Sequence, residues 1–317
     1  MTRNEAAAQV VQRYRRHVDQ LEDLTARFLA SRYAALQRQI TADLKTLNRP
    51  DPLGLPLTFR YQTEVEPIIR HRIELYAIEA EKRMTVLAEN TARLGAETAD
   101  RSARKVVDKS ERNWERVQTA GLLSGPLFNA SKDALRRIPT AITEKLGSLI
   151  SQAAGMAEKG LDWLMSQIGE VFGNIWSGLQ RTIRTLAEQM FRRAQREQAR
   201  QTPVTKWIRV ANHETACLAC LMLEGTIYDR EEDFGDHPNG RCTIVPIEAG
   251  TETDDRPGKR WLEEQDEDTQ RRILGKSRFE AWKNGDISLD DLTETVRDPV
   301  YGPIPHVIPL SRLGLTP

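Results

Sequence analysis

All three cysteines of this 317-residue chain fall within a stretch of 26 positions, and that clustering constrains its C-terminal third more than any other feature. They stand as Cys217-Leu-Ala-Cys220, then 16 residues, then His237-Pro-Asn-Gly-Arg-Cys242. A C-x-x-C turn points two sulfurs at one spot, and a distant His and Cys complete a tetrahedral set of soft and borderline donors, the set zinc prefers. Four protein ligands leave no open coordination position. The spacing therefore predicts a structural Zn2+ held by Cys217, Cys220, His237 and Cys242 rather than a catalytic one. Structural zinc contributes on the order of 10–16 kcal/mol in small finger peptides, a large amount for a small sheet. His213, four residues before Cys217, could compete as a ligand by spacing and reads first as a surface residue.

The cysteine count also bears on compartment. An odd number of thiols, behind a start (Met1-Thr-Arg-Asn-Glu) without an apolar signal core, argues against a disulfide framework and for folding in a cytosol. Catalytic motifs are missing around the thiols. A nucleobase deaminase needs H-x-E ahead of P-C-x-x-C, whereas Ala216 precedes the first cysteine and His213-Glu214 has the wrong spacing. No H-E-x-x-H, Walker A or G-x-G-x-x-G occurs. The sequence predicts no enzyme, and an enzymatic reading would have to rest on an acidic residue such as Glu214.

Ahead of the cysteines the pattern is helical. Val11, Tyr14, Val18, Leu21, Phe28, Leu36, Ile40 and Leu44 recur at helical steps and predict one long helix over 5–47. The run from Asn48 to Pro56 breaks it, since its prolines lack donors and bias their predecessors away from helix. A second long helix is expected from 66 to 118, carrying Ile69, Ile73, Tyr76, Met84, Leu87, Leu94, Val107 and Trp114, with a break near 121–130. Residues 131–200 read as shorter helices punctuated by Gly147, Gly155 and Gly160. Leu161, Leu164, Ile168, Val171, Phe172, Trp176 and Leu179 form an apolar stripe read as a buried core helix. A membrane-active or partner-docking segment is the alternative, since about 20 apolar residues are needed for a span.

After Pro203 the character changes. Residues 207–210 and 243–247 are β-branched runs that read as strands, with a loop at 251–258 and helices at 265–274, 276–282 and 289–296. The last 19 residues, with five prolines, read as an extended tail. The fold expected is mainly α, a long-helix bundle over 1–203, followed over 204–317 by a small zinc-stapled α+β domain.

The chain balances 46 basic against 46 acidic residues, which excludes a uniformly basic nucleic-acid coat. Residues 1–200 nevertheless carry 32 basic and 24 acidic side chains, and 201–317 carry 14 and 22. Opposite halves suggest different neighbours. Arg192, Arg193, Arg196 and Arg200 could track a phosphate backbone; the plainer explanation is cations complementing a helix C-terminus.

The string from Cys217 through Leu223-Glu-Gly225-Thr-Ile-Tyr228, followed by His237-Pro-Asn-Gly-Arg-Cys242-Thr-Ile-Val-Pro246, resembles the Mu F-like minor head proteins of tailed phages, also called head morphogenesis proteins. Trp207 ahead of it and Trp261, the run Gln270–Gly275, Trp282 and Leu289 behind it extend the resemblance over about residues 180–300. Many members of that family have a further cysteine two before the last, where this chain has Gly240. The resemblance implies a minor capsid protein of the portal vertex or inner capsid wall, acting in head assembly, with DNA packaging or delivery as a further role. It implies the portal, capsid and scaffold proteins as partners, phage DNA as a further one, and a virion location after assembly in the host cytoplasm. A homo-oligomer is compatible with it, and a stable membrane span is not expected. The competing readings are a zinc-knuckle nucleic-acid-binding protein and, more distantly, a toxin-like enzyme domain.

Overall fold

A computed structural model describes the chain except residues 1, 50, 125, 157–159, 214–215, 233–234, 239, 249, 252–255, 299–301 and 316–317. The fold is mainly α, with long helices, a few short antiparallel strands toward the C-terminus, and a Cys/His cluster there that could hold a metal. The described residues form two compact units, each discontinuous in sequence. One comprises residues 20–88 and 128–186, the other residues 1–19, 89–127 and 187–317. Residues 187–203, which the sequence groups with the helical domain, thus share a unit with everything after 204.

The first of these units is all helix. It takes its residues from α1 (Arg3–Lys45), α2 (Leu57–Arg60), a π-helical turn Tyr61–Val65, α3 (Glu66–Val106), α4 (Pro126–Arg136), α5 (Ile138–Ala154) and α6 (Gly160–Arg200). Its core follows the sequence periodicity: Leu36, Ile40 and Leu44 of α1 and Ile69, Ile73 and Met84 of α3 are buried. Leu21 and Phe28 are only half-buried, and Thr25 and Leu29 take the inward positions instead. The stripe on α6 is core. Leu164, Ile168, Val171, Phe172 and Leu179 are buried. The Tyr33 ring lies 5.4 Å from Tyr76, 5.3 Å from Phe172 and 5.5 Å from Trp176, centroid to centroid, an aromatic cluster of the kind that adds to simple area burial. Among the described residues no helix is long and apolar enough to cross a membrane.

The second unit carries the strands. β1 (Lys206–Val210) is the middle of an antiparallel sheet ordered β2-β1-β3, with β2 at Ile227–Asp229 and β3 at Thr243–Pro246. Trp207 faces Tyr228 on one side and Pro246 on the other. Trp207, Ile244 and Val245 bury against Ala7 and Val11 of α1 and Ala99 and Ala103 of α3. A satellite core joins α7 (Leu218–Met222), α8 (Pro257–Glu263), α9 (Glu267–Leu274) and α10 (Lys276–Asn284) through Leu221, Leu262, Leu274 and Phe279. Strands β1 and β3 and helices α9 and α10 match the sequence reading, which missed β2 and α8.

Three expectations need correction. The second long helix stops at Val106, not 118. Beyond it, tertiary partners replace helical hydrogen bonds: Val117 N donates to Gln198 Oε1 at 2.8 Å, Gln198 Nε2 donates to Glu115 O at 3.0 Å, and Trp114 Nε1 donates to Asp100 at 3.0 Å. Gly155 caps the end of α5 and α6 begins at Gly160, as read, but Gly147 lies inside α5 and residues 160–200 are one uninterrupted helix. The helix expected over 289–296 is a single 3-10 turn, Leu289–Leu292, capped by Ser288. Its β-branched continuation forms β4 (Thr293–Asp298), paired antiparallel with β5 (Gly302–Val307) from the expected tail. Pro303 and Pro305 are two apart, so both missing donors fall on the same side of β5, and a two-stranded sheet tolerates them on its open edge.

Candidate metal centre

Cys217 stands immediately before α7, in extended conformation, and Cys220 lies within the helix, so one turn brings the two sulfurs together. His237 and Cys242 belong to the loop that leads into β3. That loop is closed by a side chain. Asp236 accepts the backbone N–H of His237 at 2.9 Å on one oxygen and that of Cys242 at 3.1 Å on the other. A further turn hydrogen bond, Gly240 N to His237 O at 2.9 Å, tightens it.

The donor atoms converge. Cys217 Sγ and Cys220 Sγ lie 2.9 and 3.2 Å from His237 Nε2, and Cys220 also belongs to a second group with Asp236 and Cys242 whose donor atoms all fall within 4.8 Å of one another. The four residues singled out by spacing form one cluster that could hold a metal ion. The second ring nitrogen of His237 sets its orientation. Nδ1–H donates to Pro238 O at 2.8 Å, which leaves Nε2 as the donor facing the sulfurs.

Electrostatics support a charged occupant. Asp236 is fully buried and pairs with two buried guanidinium groups, Arg192 at 2.5 Å and Arg209 at 3.3 Å. Burial pushes its pKa up, but the two arginines win and hold it below the usual carboxylate range. For Arg209 burial likewise opposes the charge, while Cys242, Asp236 and Cys220 raise its pKa well above the ordinary value. Two arginines and one carboxylate leave one surplus positive charge in the interior, and a buried charge without compensation is costly. A divalent ion on three thiolates and a neutral imidazole carries one negative charge, so the donor set and its surroundings sum to neutrality. Without an ion the thiols and the imidazole share protons. Hydrogen bonding to Cys220 lowers the Cys217 pKa, raises that of Cys242 well above its ordinary value, and lifts His237 to about 9.

Asp236 was not legible as part of the site. Its oxygens are engaged by two guanidinium groups and two backbone amides, so it orders the loop that carries His237 and Cys242. Two signals could have found it: its place directly before His-Pro, and Gly240. A Cβ on Gly240 would lie 2.2 Å from the Asp236 carboxylate. A side chain at position 240, a cysteine included, therefore has no room here.

The arginine strip does not form as expected. Arg192 is 4% exposed and points inward, donating to Asp236, to Gly240 O at 3.1 Å and to Cys242 O at 3.4 Å, because the loop needs its charge. Arg193 and Arg196 are half-buried, and Arg200 pairs with Glu197 at 3.2 Å. His213 is not in the cluster: its Nε2 meets Glu224 at 2.5 Å. Glu214 lies outside the described residues. Comparisons with protein families, with curated proteins and with solved structures found no match to this chain.

Proposed function

We propose that this chain is a structural component of tailed-phage head assembly, a minor capsid protein of the Mu F-like kind whose C-terminal part is stapled by Zn2+. The observation that carries the reading is the convergence of Cys217, Cys220, His237 and Cys242, the four residues through which the sequence resembles that family. Zinc suits the donors. Bonds of about 2.3 Å to sulfur and 2.0–2.1 Å to nitrogen at tetrahedral angles separate S from N by ~3.6 Å, so the sulfurs need withdraw by less than about 1 Å from 2.9 and 3.2 Å to admit the ion. A closed set of four side chains suits a staple rather than a reaction centre. Portal and capsid or scaffold proteins are the partners this reading names. Particles and precursor heads purified from a producing culture are expected to contain the chain in few copies, and to yield fewer infectious particles when it is deleted. Absence of the chain from both particles and precursors would refute the assignment.

A second reading, nucleic-acid binding, is favoured by a specific cleft. Arg13, Arg101, Arg104, Lys105 and Arg112 surround a cavity of about 460 Å³ whose only acidic residue, among the described residues lining it, is Asp100, itself engaged by Trp114 and Arg104. Such a cluster suits phosphate groups. Duplex DNA affinity is then expected to fall with salt at a log–log slope near −0.9 per phosphate neutralised, and Arg101→Ala with Arg104→Ala to flatten that slope. Binding unaffected by salt would exclude this use of the cleft.

A further inference from the structure

The basic cleft of the second reading holds cations that no carboxylate balances. Its volume of about 460 Å³ is within the range of small-molecule sites. Three stretches of one compact unit line it: Val10, Arg13 and Tyr14 of α1, residues 100–105 near the end of α3, and Arg112 beyond that helix. Two of its cations are neutralised. Arg101 meets Glu97 at 2.6 Å and Arg104 meets Asp100 at 3.0 Å. The other three are not. Arg13 and Lys105 are exposed and have no carboxylate partner among the described residues. Arg112 donates Nε–H and an Nη2–H to the Val107 carbonyl at 3.1 and 2.8 Å. A carbonyl fixes the guanidinium without cancelling its charge, and it leaves three of the five N–H donors for another partner. Aromatic surface is not on offer in the same way. Tyr14 is buried, with the Arg101 guanidinium 5.7 Å from its ring centroid, and Trp114 carries that of Arg104 at 4.7 Å. The cleft thus presents charge without a stacking platform for a base.

We propose that this cleft binds a terminal phosphate, a monoester, irrespective of the base attached to it. The inference rests on the nucleic-acid reading of the cleft and narrows it. A backbone diester carries one negative charge and two unesterified oxygens, whereas a monoester carries close to two charges on three oxygens. Arg13, Lys105 and Arg112 come from three separate stretches of chain, which suits an anion approached from several sides better than a strand that passes by. Guanidinium groups match pairs of phosphate oxygens, and Lys105 adds a point charge. A strand end and a free nucleotide share this chemistry.

The test titrates the full chain, at one salt concentration, into a single-stranded oligonucleotide labelled at its 3′ end and prepared with either a 5′-phosphate or a 5′-hydroxyl, with fluorescence anisotropy as the readout. The phosphorylated strand is expected to bind about tenfold or more tighter. Arg13→Ala and Lys105→Ala should each reduce that preference at least about threefold while the unfolding midpoint stays unchanged, because both side chains lie in solvent. Adenosine and cytidine 5′-monophosphates are then added as competitors. Equal competition by both extends the ligand to free nucleotides, and competition by neither confines it to a strand end. Competition by only one of them would show base reading and overturn the proposal. Equal affinity for the two strands, falling steeply with salt, would overturn the monoester while the nucleic-acid reading stands. No binding of either strand would defeat both. A phosphate preference that survives both substitutions would place its source outside this cleft and sink the proposal.

Discussion

Cys242→Ser is expected to release the metal, about one ion per chain, and to unfold residues 205–250. Metal affinity in such sites is folding free energy, on the order of 10–16 kcal/mol for finger peptides, and a hydroxyl is a poor substitute for a thiolate. The damage is concentrated because Cys242 is 1% exposed and directly precedes β3, whose register with β1 organises the sheet. Elemental analysis should find the metal gone, and hydrogen exchange should show protection lost across the sheet and its loops. The helical circular dichroism should largely persist, since α1 and α3–α6 contribute no ligand. Acid should act in the same direction. Uptake of the ion displaces the thiol protons and the one that His237, with a pKa near 9, carries in the metal-free protein at neutral pH, so affinity falls as pH falls. A fresh native preparation without bound metal would defeat the whole expectation.

The second large effect belongs to Asp236→Ala. Arg192 and Arg209 would lose their shared carboxylate in an interior where they are 4% and 1% exposed. Breaking a buried pair by removing one partner typically costs about 3–5 kcal/mol, chiefly because the other charge is left uncompensated. The loop from 236 to 242 would also lose the two backbone hydrogen bonds that close it. Chelator competition should show weakened metal binding together with a lower unfolding midpoint. Adding Arg209→Met removes one stranded charge and should restore part of the stability. If Asp236→Ala matched the parent protein in both readouts, the charge balance drawn around the metal would be wrong.

The cluster that could hold a metal was legible because Cys and His spacing is a local signal: Cys217 and Cys220 need only one helical turn to meet. The α6 core stripe and the α1 and α3 cores were legible for a similar reason, since burial in a long helix repeats every three or four residues. What stayed hidden depends on distant partners. Nothing near Arg192 in sequence announces Asp236, 44 positions away, so the arginines read as a surface strip. Nothing near Trp114 announces Gln198, whose side chain takes the hydrogen bonds a continuing helix would have used. β4 was mistaken for helix because its partner lay in a proline-rich segment that looked unable to pair. β2 was missed because three residues are too few for alternation to register.

Ala7 and Val11 share a core with Cys242, Ile244 and Val245, far along the chain from them. Asn4 accepts the backbone N–H of Glu248 at 3.0 Å. As the chain is made, the apolar face of Ala7 and Val11 therefore stays uncovered until the strand that shields it, β3, has been added. Pairings this remote in sequence form slowly and leave sticky surface exposed meanwhile. During that interval this segment is open to chaperones, or to another protein that reaches it before β3 does.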